Sequence, residues 1–199
     1  MLNKEFWEER YALGQTGWDL GEISLPLRNF FEGLEVGNQR ILIPGCGRAY
    51  EAEFLWRLGF EQVHVLDWSE RALADFSQRV PGFPAAHLHA GDFFTHSGPY
   101  DLVIEQTFFC ALDPVFRSRY VQKMHELLRP SGLLVGLLFN DPLNADRPPF
   151  GGSETEYRAL FSRYFHLEKL ETAPDSIAPR AERELFLMAR KADLSAKSS

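Results

Sequence analysis

From Arg40 onward, short apolar runs alternate with stretches in which apolar residues recur every three or four positions. Ile41-Leu42-Ile43, Val63 to Leu66, Tyr100 to Ile104 and Leu133 to Phe139 read as buried strands, and Ala85 to His89 as a weaker one. Between them the pattern predicts a helix from about Ala49 to Leu58, ended by Gly59. A second predicted helix is capped by Ser69 and carries Ala72, Leu73 and Phe76. A third begins at Asp113-Pro114, cap and first-turn proline, with a stripe of Phe116, Tyr120, Val121, Met124, Leu127 and Leu128. Arg129-Pro130-Ser131-Gly132 breaks it.

Upstream, Asn3 caps a short helix carrying Phe6, Trp7 and Tyr11, and another helix starting near Pro26 carries Leu27, Phe30, Phe31 and Leu34. Downstream of Phe139 come a Pro/Gly-rich stretch, Asn140 to Gly152, and a helix from Glu154 to Tyr164. Phe165 to Glu171 and Glu184 to Ala189 form a closing pair of strands. Alternating strands and helices imply a parallel sheet with helices on both faces. The expectation is an α/β, Rossmann-like domain over residues 1–191, with residues 1–35 as a helical, aromatic lid and residues 192–199 as a frayed polar tail.

The chain of 199 residues is 45% hydrophobic and 25% charged, enough for one core of ordinary size. The longest apolar run, Gly132 to Phe139, is far short of the roughly 20 residues needed to span a bilayer. The N-terminus, with Glu5, Glu8 and Glu9, lacks the basic start of a signal peptide. A net charge of −7 without a Lys/Arg cluster argues against nucleic acid as a partner. Cys46 and Cys110 make neither a disulfide framework nor a zinc quartet, and the histidines have no ligand spacing, so no metal is expected. A cytoplasmic protein, monomeric or weakly dimeric, acting on a small molecule and not at a membrane, fits these features.

The first strand, the turn Pro44-Gly45-Cys46-Gly47 and the next helix make a nucleotide-binding start. Gly45 and Gly47 lack a Cβ and let the backbone approach a ligand. The helix offers free N–H groups, and the switch point between the first and fourth strands opens a crevice. Asp67 ends the second strand, 20 residues after Gly47, where an acidic side chain bonds ribose hydroxyls. Its plainer role is to cap the helix at Ser69. A dinucleotide fold commonly has a third glycine, but here that position is Tyr50. S-adenosylmethionine has no pyrophosphate, so a looser turn suffices. Asp92 and an aromatic of Phe93-Phe94 can hold its adenine, one of the two phenylalanines being core. Trp7, Tyr11 and Trp18 either pack as a lid or form a cage over the sulfonium.

Together these pieces resemble the thiopurine methyltransferase superfamily, closest to its thiol/halide methyltransferase branch. The matching residues are Trp7-Glu8, Gly14 to Gly21, Ile43 to Gly47, Asp67-Trp68-Ser69, Asp92-Phe93-Phe94, Thr107 to Leu112, Arg117, Met124 to Gly132 and Pro148-Pro149-Phe150. The resemblance implies a class I methyltransferase fold, a mostly parallel seven-stranded sheet with a C-terminal antiparallel hairpin. It implies S-adenosylmethionine-dependent methyl transfer to thiols, hydrosulfide, thiocyanate, halides or reduced selenium and tellurium species. It places Trp7, Tyr11, Trp18, Gly45, Asp67 and Asp92 around the cofactor. Gly47, Trp68, Phe93 and Gln106 are further cofactor candidates; Glu105 either contacts the cofactor's amino group or takes a polar or basic role in the pocket, and Phe150 is a pocket residue under the loop. Tyr11 stands where the branch often has Trp. Glu105-Gln106 replaces its Asp-Tyr, and Arg147-Pro148-Pro149-Phe150 its Gly-Pro-Pro-Tyr, so both tyrosine hydroxyls are absent. Rival readings are a larger N- or O-acceptor, an NAD-dependent oxidoreductase and a non-catalytic S-adenosylmethionine-binding protein.

Overall fold

A computed structural model describes residues 2–194. Seven strands form one sheet: β1 (Ile41–Pro44), β2 (Val63–Asp67), β3 (Leu88–Ala90), β4 (Tyr100–Gln106), β5 (Leu128–Phe139), β6 (Phe165–Thr172) and β7 (Glu184–Lys191). Their order is β3-β2-β1-β4-β5-β7-β6. β1 to β5 run parallel, and β7 pairs antiparallel with both β5 and β6. The expected closing strand pair is therefore present, and β1 and β4 are neighbours at the switch point.

Among the described residues, six α-helices flank the sheet: α1 (Lys4–Ala12), α2 (Leu25–Glu32), α3 (Tyr50–Leu58), α4 (Glu70–Arg79), α5 (Arg117–Leu127) and α6 (Glu154–Phe161). One face of the sheet packs Ile41, Ile43, Val63 and Val65 against Leu27, Phe31, Ala52, Leu55 and Phe76 of α2, α3 and α4. The other packs Leu42, Val103, Leu134 and Leu187 against Tyr120, Val121, Met124, Tyr157 and Phe161 of α5 and α6. Each such aromatic contributes about 1.5–3 kcal/mol by leaving water. The predicted caps form: Asn3 accepts from Phe6 N–H, Ser69 from Ala72 N–H and Asp113 from Val115 N–H.

Element boundaries differ from the pattern in several places. Ala85–His87 is a 3-10 turn, not strand, because His87 N–H bonds back to Pro84 and β3 has register only with the last residues of β2. Ala49 precedes α3 with a left-handed backbone. Pro114–Phe116 is a 3-10 turn ahead of α5. β5 begins at Leu128, because an irregularity between the Tyr100–Leu128 and Leu102–Leu133 pairs absorbs the predicted break. α6 ends at Phe161. Ala192, read as the start of a frayed tail, is buried, donates its N–H to Tyr164 O and accepts from His125. Residues 195–199 of that tail lie outside the described residues.

The connection from β3 to β4 carries no helix. Imidazoles fill the space over β2 and β3 instead. His64 Nδ1 lies 3.1 Å from His89 Nε2, the His64 and His87 rings are 4.1 Å apart, and His96 Nε2 lies 2.7 Å from the Tyr100 hydroxyl. Burial, then neighbouring imidazoles and the Arg40 and Lys123 charges, lowers His64 to about 3 and His96 to about 4. In the unfolded chain these groups protonate near pH 6.5, so their contribution to stability is full above that pH and is lost as pH falls toward 4. Glu51 and Glu105, raised by burial to about 7, act in the opposite sense. The readout is therefore differential. His64→Gln should melt below wild type at pH 7.5 and close that gap by pH 5; a constant gap in calorimetric scans would refute the cluster's role.

Candidate active site

The carboxyl ends of the neighbouring parallel strands β1, β2, β3 and β4 share one edge of the sheet, where the switch point between β1 and β4 opens the crevice of this fold class. β1 leads into a turn in which Gly45, Gly47 and Ala49 all have left-handed backbones, with φ of 58°, 51° and 53°. A Cβ at Gly45 would overlap the Phe108 ring, and one at Gly47 would stand 2.7 Å from the Tyr11 hydroxyl. Glycine is required there for close approach as well as for backbone conformation. Two aromatics distant in sequence thus close on the turn.

Asp67, at the end of β2, is buried. Its Oδ2 accepts Gly47 N–H at 2.9 Å and its Oδ1 accepts Ser69 N–H at 2.8 Å. Burial pushes its pKa up, while these hydrogen bonds pull it down. Asp67 therefore ties the glycine turn to the start of α4, and its helix-side role and its place beside the turn coexist. Trp68 next to it is half-buried.

The N-terminal aromatics come together. The Trp18 ring meets Trp7 edge-on at 5.6 Å and Tyr11 at 5.9 Å. Glu8 fastens α1 to α4 by accepting Glu70 N–H at 2.7 Å and the Ser69 hydroxyl at 3.2 Å, a carboxylate at a helix N-terminus. Arg180, paired with buried Glu184, donates to Trp18 O at 3.0 Å, and Asp19 faces Arg48 at 3.5 Å. The segment is thus docked at both ends, with the Tyr11 hydroxyl beside Gly47.

Asp92 lies after β3, half-buried, accepting Phe94 N–H at 2.9 Å. Of the two following phenylalanines, Phe93 is the core residue. It is buried against Phe108 and Tyr120, with ring centroids at 5.1 and 5.4 Å. Phe94 is half-buried against Phe116, with Arg119 over its ring.

Glu105 and Gln106 end β4 and diverge. Glu105 is 1% exposed; its Oε1 accepts Phe108 N–H at 2.8 Å and Phe109 N–H at 2.9 Å, and its Oε2 accepts the Tyr120 hydroxyl. Enclosed in this way, it does not line a pocket as expected. Gln106 is half-buried, and its Oε1 is buried without a partner. Phe150 is buried, donates its N–H to Cys110 O at 2.7 Å, and borders a cleft of about 560 Å³ with Pro114, Asn140, Asn144 and Glu156.

Arg117, on the buried side of α5, holds that cleft's wall. It donates to Glu156 and to Gly151 O, both at 2.6 Å, and covers the Phe109 ring. Tyr120 was legible only as part of an apolar stripe. The available signal was that a buried tyrosine hydroxyl needs a partner. Burial raises both thiols, Cys110 to about 12, so neither is a ready nucleophile. Among the described residues, no group of three or more His, Cys, Asp or Glu is arranged to hold a metal ion, and no helix is long and apolar enough to cross a membrane.

This sheet order, with its glycine turn and acidic β2 end, defines a class I S-adenosylmethionine-dependent methyltransferase. The sequence profile of the thiopurine S-methyltransferase family matches residues 2–193, and the chain belongs to that family. It is 33% identical to a probable thiol methyltransferase 2 of Arabidopsis thaliana over 161 residues, 77% of this chain and 70% of that protein. It is 29% identical to thiocyanate methyltransferase 1 of Brassica oleracea, covering 89% and 81%, and 29% identical to thiopurine S-methyltransferase of Pseudomonas fluorescens (strain SBW25), covering 85% and 87%. Its fold resembles that of Burkholderia thailandensis 1,6-didemethyltoxoflavin-N1-methyltransferase, solved with S-adenosylhomocysteine, at a TM-score of 0.74 and 20% identity over 96% of this chain and 88% of the other. Family membership sets the oxidoreductase reading aside and implies S-adenosylmethionine as methyl donor. The residues fit that group. Gln106 Oε1 is a buried acceptor lacking the donor that an ammonium or adenine amino group supplies.

Proposed function

We propose that this enzyme methylates a small, polarisable nucleophile, with a sulfur acceptor preferred. The observation that carries the reading is the cleft bordered by buried Phe150, in a chain whose relatives are named for thiol, thiocyanate and thiopurine substrates. Asp67 is assigned to the ribose hydroxyls, Gly45 and Gly47 to the cofactor's close approach, Asp92 to the adenine amino group and Gln106 to a cofactor amino group. Trp7, Tyr11 and Trp18 cover the sulfonium, whose charge is attracted to ring faces. When bound, S-adenosylmethionine supplies the electrophilic methyl and its own leaving group.

The protein's work is then alignment and exclusion of water. A thiol has a pKa near 8.5 or below, so its anion forms with little help and no dedicated base is assigned.

Phe150 gives the cleft an apolar wall where the branch usually offers a tyrosine hydroxyl. Stripping water from chloride costs more than from a thiolate, because the smaller, harder ion is more strongly hydrated. The expected order of kcat/KM is hydrosulfide or thiol first, iodide next and chloride last, with Phe150→Tyr shifting the ratio toward halides. A headspace assay of methylated volatiles, each acceptor offered separately, measures this. Preference for chloride, or activity confined to a bulky amine or phenol, would overturn the reading.

A further inference from the structure

We propose that Glu105 and Tyr120 are a positioning pair, a buried carboxylate–phenol clamp that sets Gln106 and Phe108 against the Gly45 turn. The clamp never touches a ligand itself, since Glu105 is 1% exposed and Tyr120 is fully buried. Its role at the crevice rests on the reading that this crevice holds S-adenosylmethionine.

The turn after β4 requires something to hold it. Thr107 has φ of 58°, a left-handed backbone that is strained for a β-branched residue and persists only when its surroundings fix it. Glu105 supplies the fixing. One of its oxygens accepts two successive backbone N–H groups, Phe108 and Phe109, immediately beyond the bend. Its other oxygen accepts the Tyr120 hydroxyl from α5, which joins the bend to the helix layer. A buried carboxylate is costly without such donors, and here three groups converge on it. Gly136, its register partner on β5, has no side chain; a Cβ there would overlap Glu105 itself.

The geometry of the bend decides two features of the site. Gln106 lies between the clamped residue and the strained one, and its unpartnered Oε1 depends on their backbone. Phe108, whose N–H is held, places its ring in the space that a Cβ of Gly45 would fill. The clamp thus acts on the cofactor side of the crevice, through the turn.

The test compares wild type, Tyr120→Phe, Glu105→Gln and Glu105→Ala. Calorimetry gives the S-adenosylmethionine dissociation constant, and initial rates give KM and kcat, each at a temperature well below the variant's own melting point. Glu105→Gln keeps the set, because its carbonyl accepts both N–H groups and its amide donates to the Tyr120 oxygen; its affinity should stay within about threefold of wild type. Tyr120→Phe and Glu105→Ala should raise the KM and dissociation constant for S-adenosylmethionine about tenfold or more while kcat at saturation falls less, the order of effect expected for losing a buried charged hydrogen bond. Unchanged affinity in folded Tyr120→Phe, or a Glu105→Gln variant as impaired as Glu105→Ala, would overturn the clamp alone. A wild type that binds no S-adenosylmethionine would overturn the functional reading and the clamp's role with it.

Discussion

Replacing Asp67 by alanine should weaken S-adenosylmethionine binding by about 1.5–3 kcal/mol, roughly 10- to 150-fold. The carboxylate would no longer reach the ribose hydroxyls. It would also release Gly47 N–H and Ser69 N–H, now held at 2.9 and 2.8 Å, so the glycine turn would lose its tie to α4. Both losses fall on the same surface, so they add. Asp67→Asn keeps one acceptor for one of the two N–H groups and should lie between wild type and alanine. Calorimetry on folded protein measures the effect. An unchanged dissociation constant would remove Asp67 from the cofactor site.

The largest effect on stability is expected from Gly136→Ala. Gly136 pairs with Glu105 in the middle of the sheet, where β4 and β5 are both buried. A Cβ would overlap the Glu105 carbonyl oxygen and Cβ, and stand 2.9 Å from its Cα. Backbone cannot swing aside as a flexible side chain can, so the strands must separate. Overpacking of this kind costs about 3 kcal/mol, a fall in melting temperature of roughly 6–12 °C for a chain of this size. Because the Thr107 turn begins one residue beyond Gln106, cofactor affinity should fall with it. A thermal scan decides the matter: a shift under about 2 °C would mean that the sheet accommodates the methyl.

The sequence by itself determined what depends on near neighbours. Alternating apolar runs defined the strands, and spacing of three and four residues the helices, because those periods are how each element buries one face. Asn3, Ser69 and Asp113 were legible as caps because a cap is satisfied within three residues. Gly45, Gly47 and Asp67 were legible because the turn from β1 to α3 requires the glycines and the end of β2 adjoins that turn in any fold of this order.

What only the tertiary structure decided is where side chains go once a strand has ended. Asp67 and Glu105 are both acidic and both close a buried strand, yet one ties two loops at the crevice and the other points into the protein. Tyr120, 15 residues later, and Gly136, on the next strand, make that difference. No local period carries it. The same holds for Phe93 and Phe94, of which packing against Phe108 and Tyr120 chooses the core member. It holds also for the four clustered imidazoles, whose positions in sequence, 64, 87, 89 and 96, give no sign that they meet. They meet because the β3–β4 connection carries no helix to cover the face of β2 and β3 opposite α3 and α4, so that burial there falls to whatever side chains the strands and the following loop present.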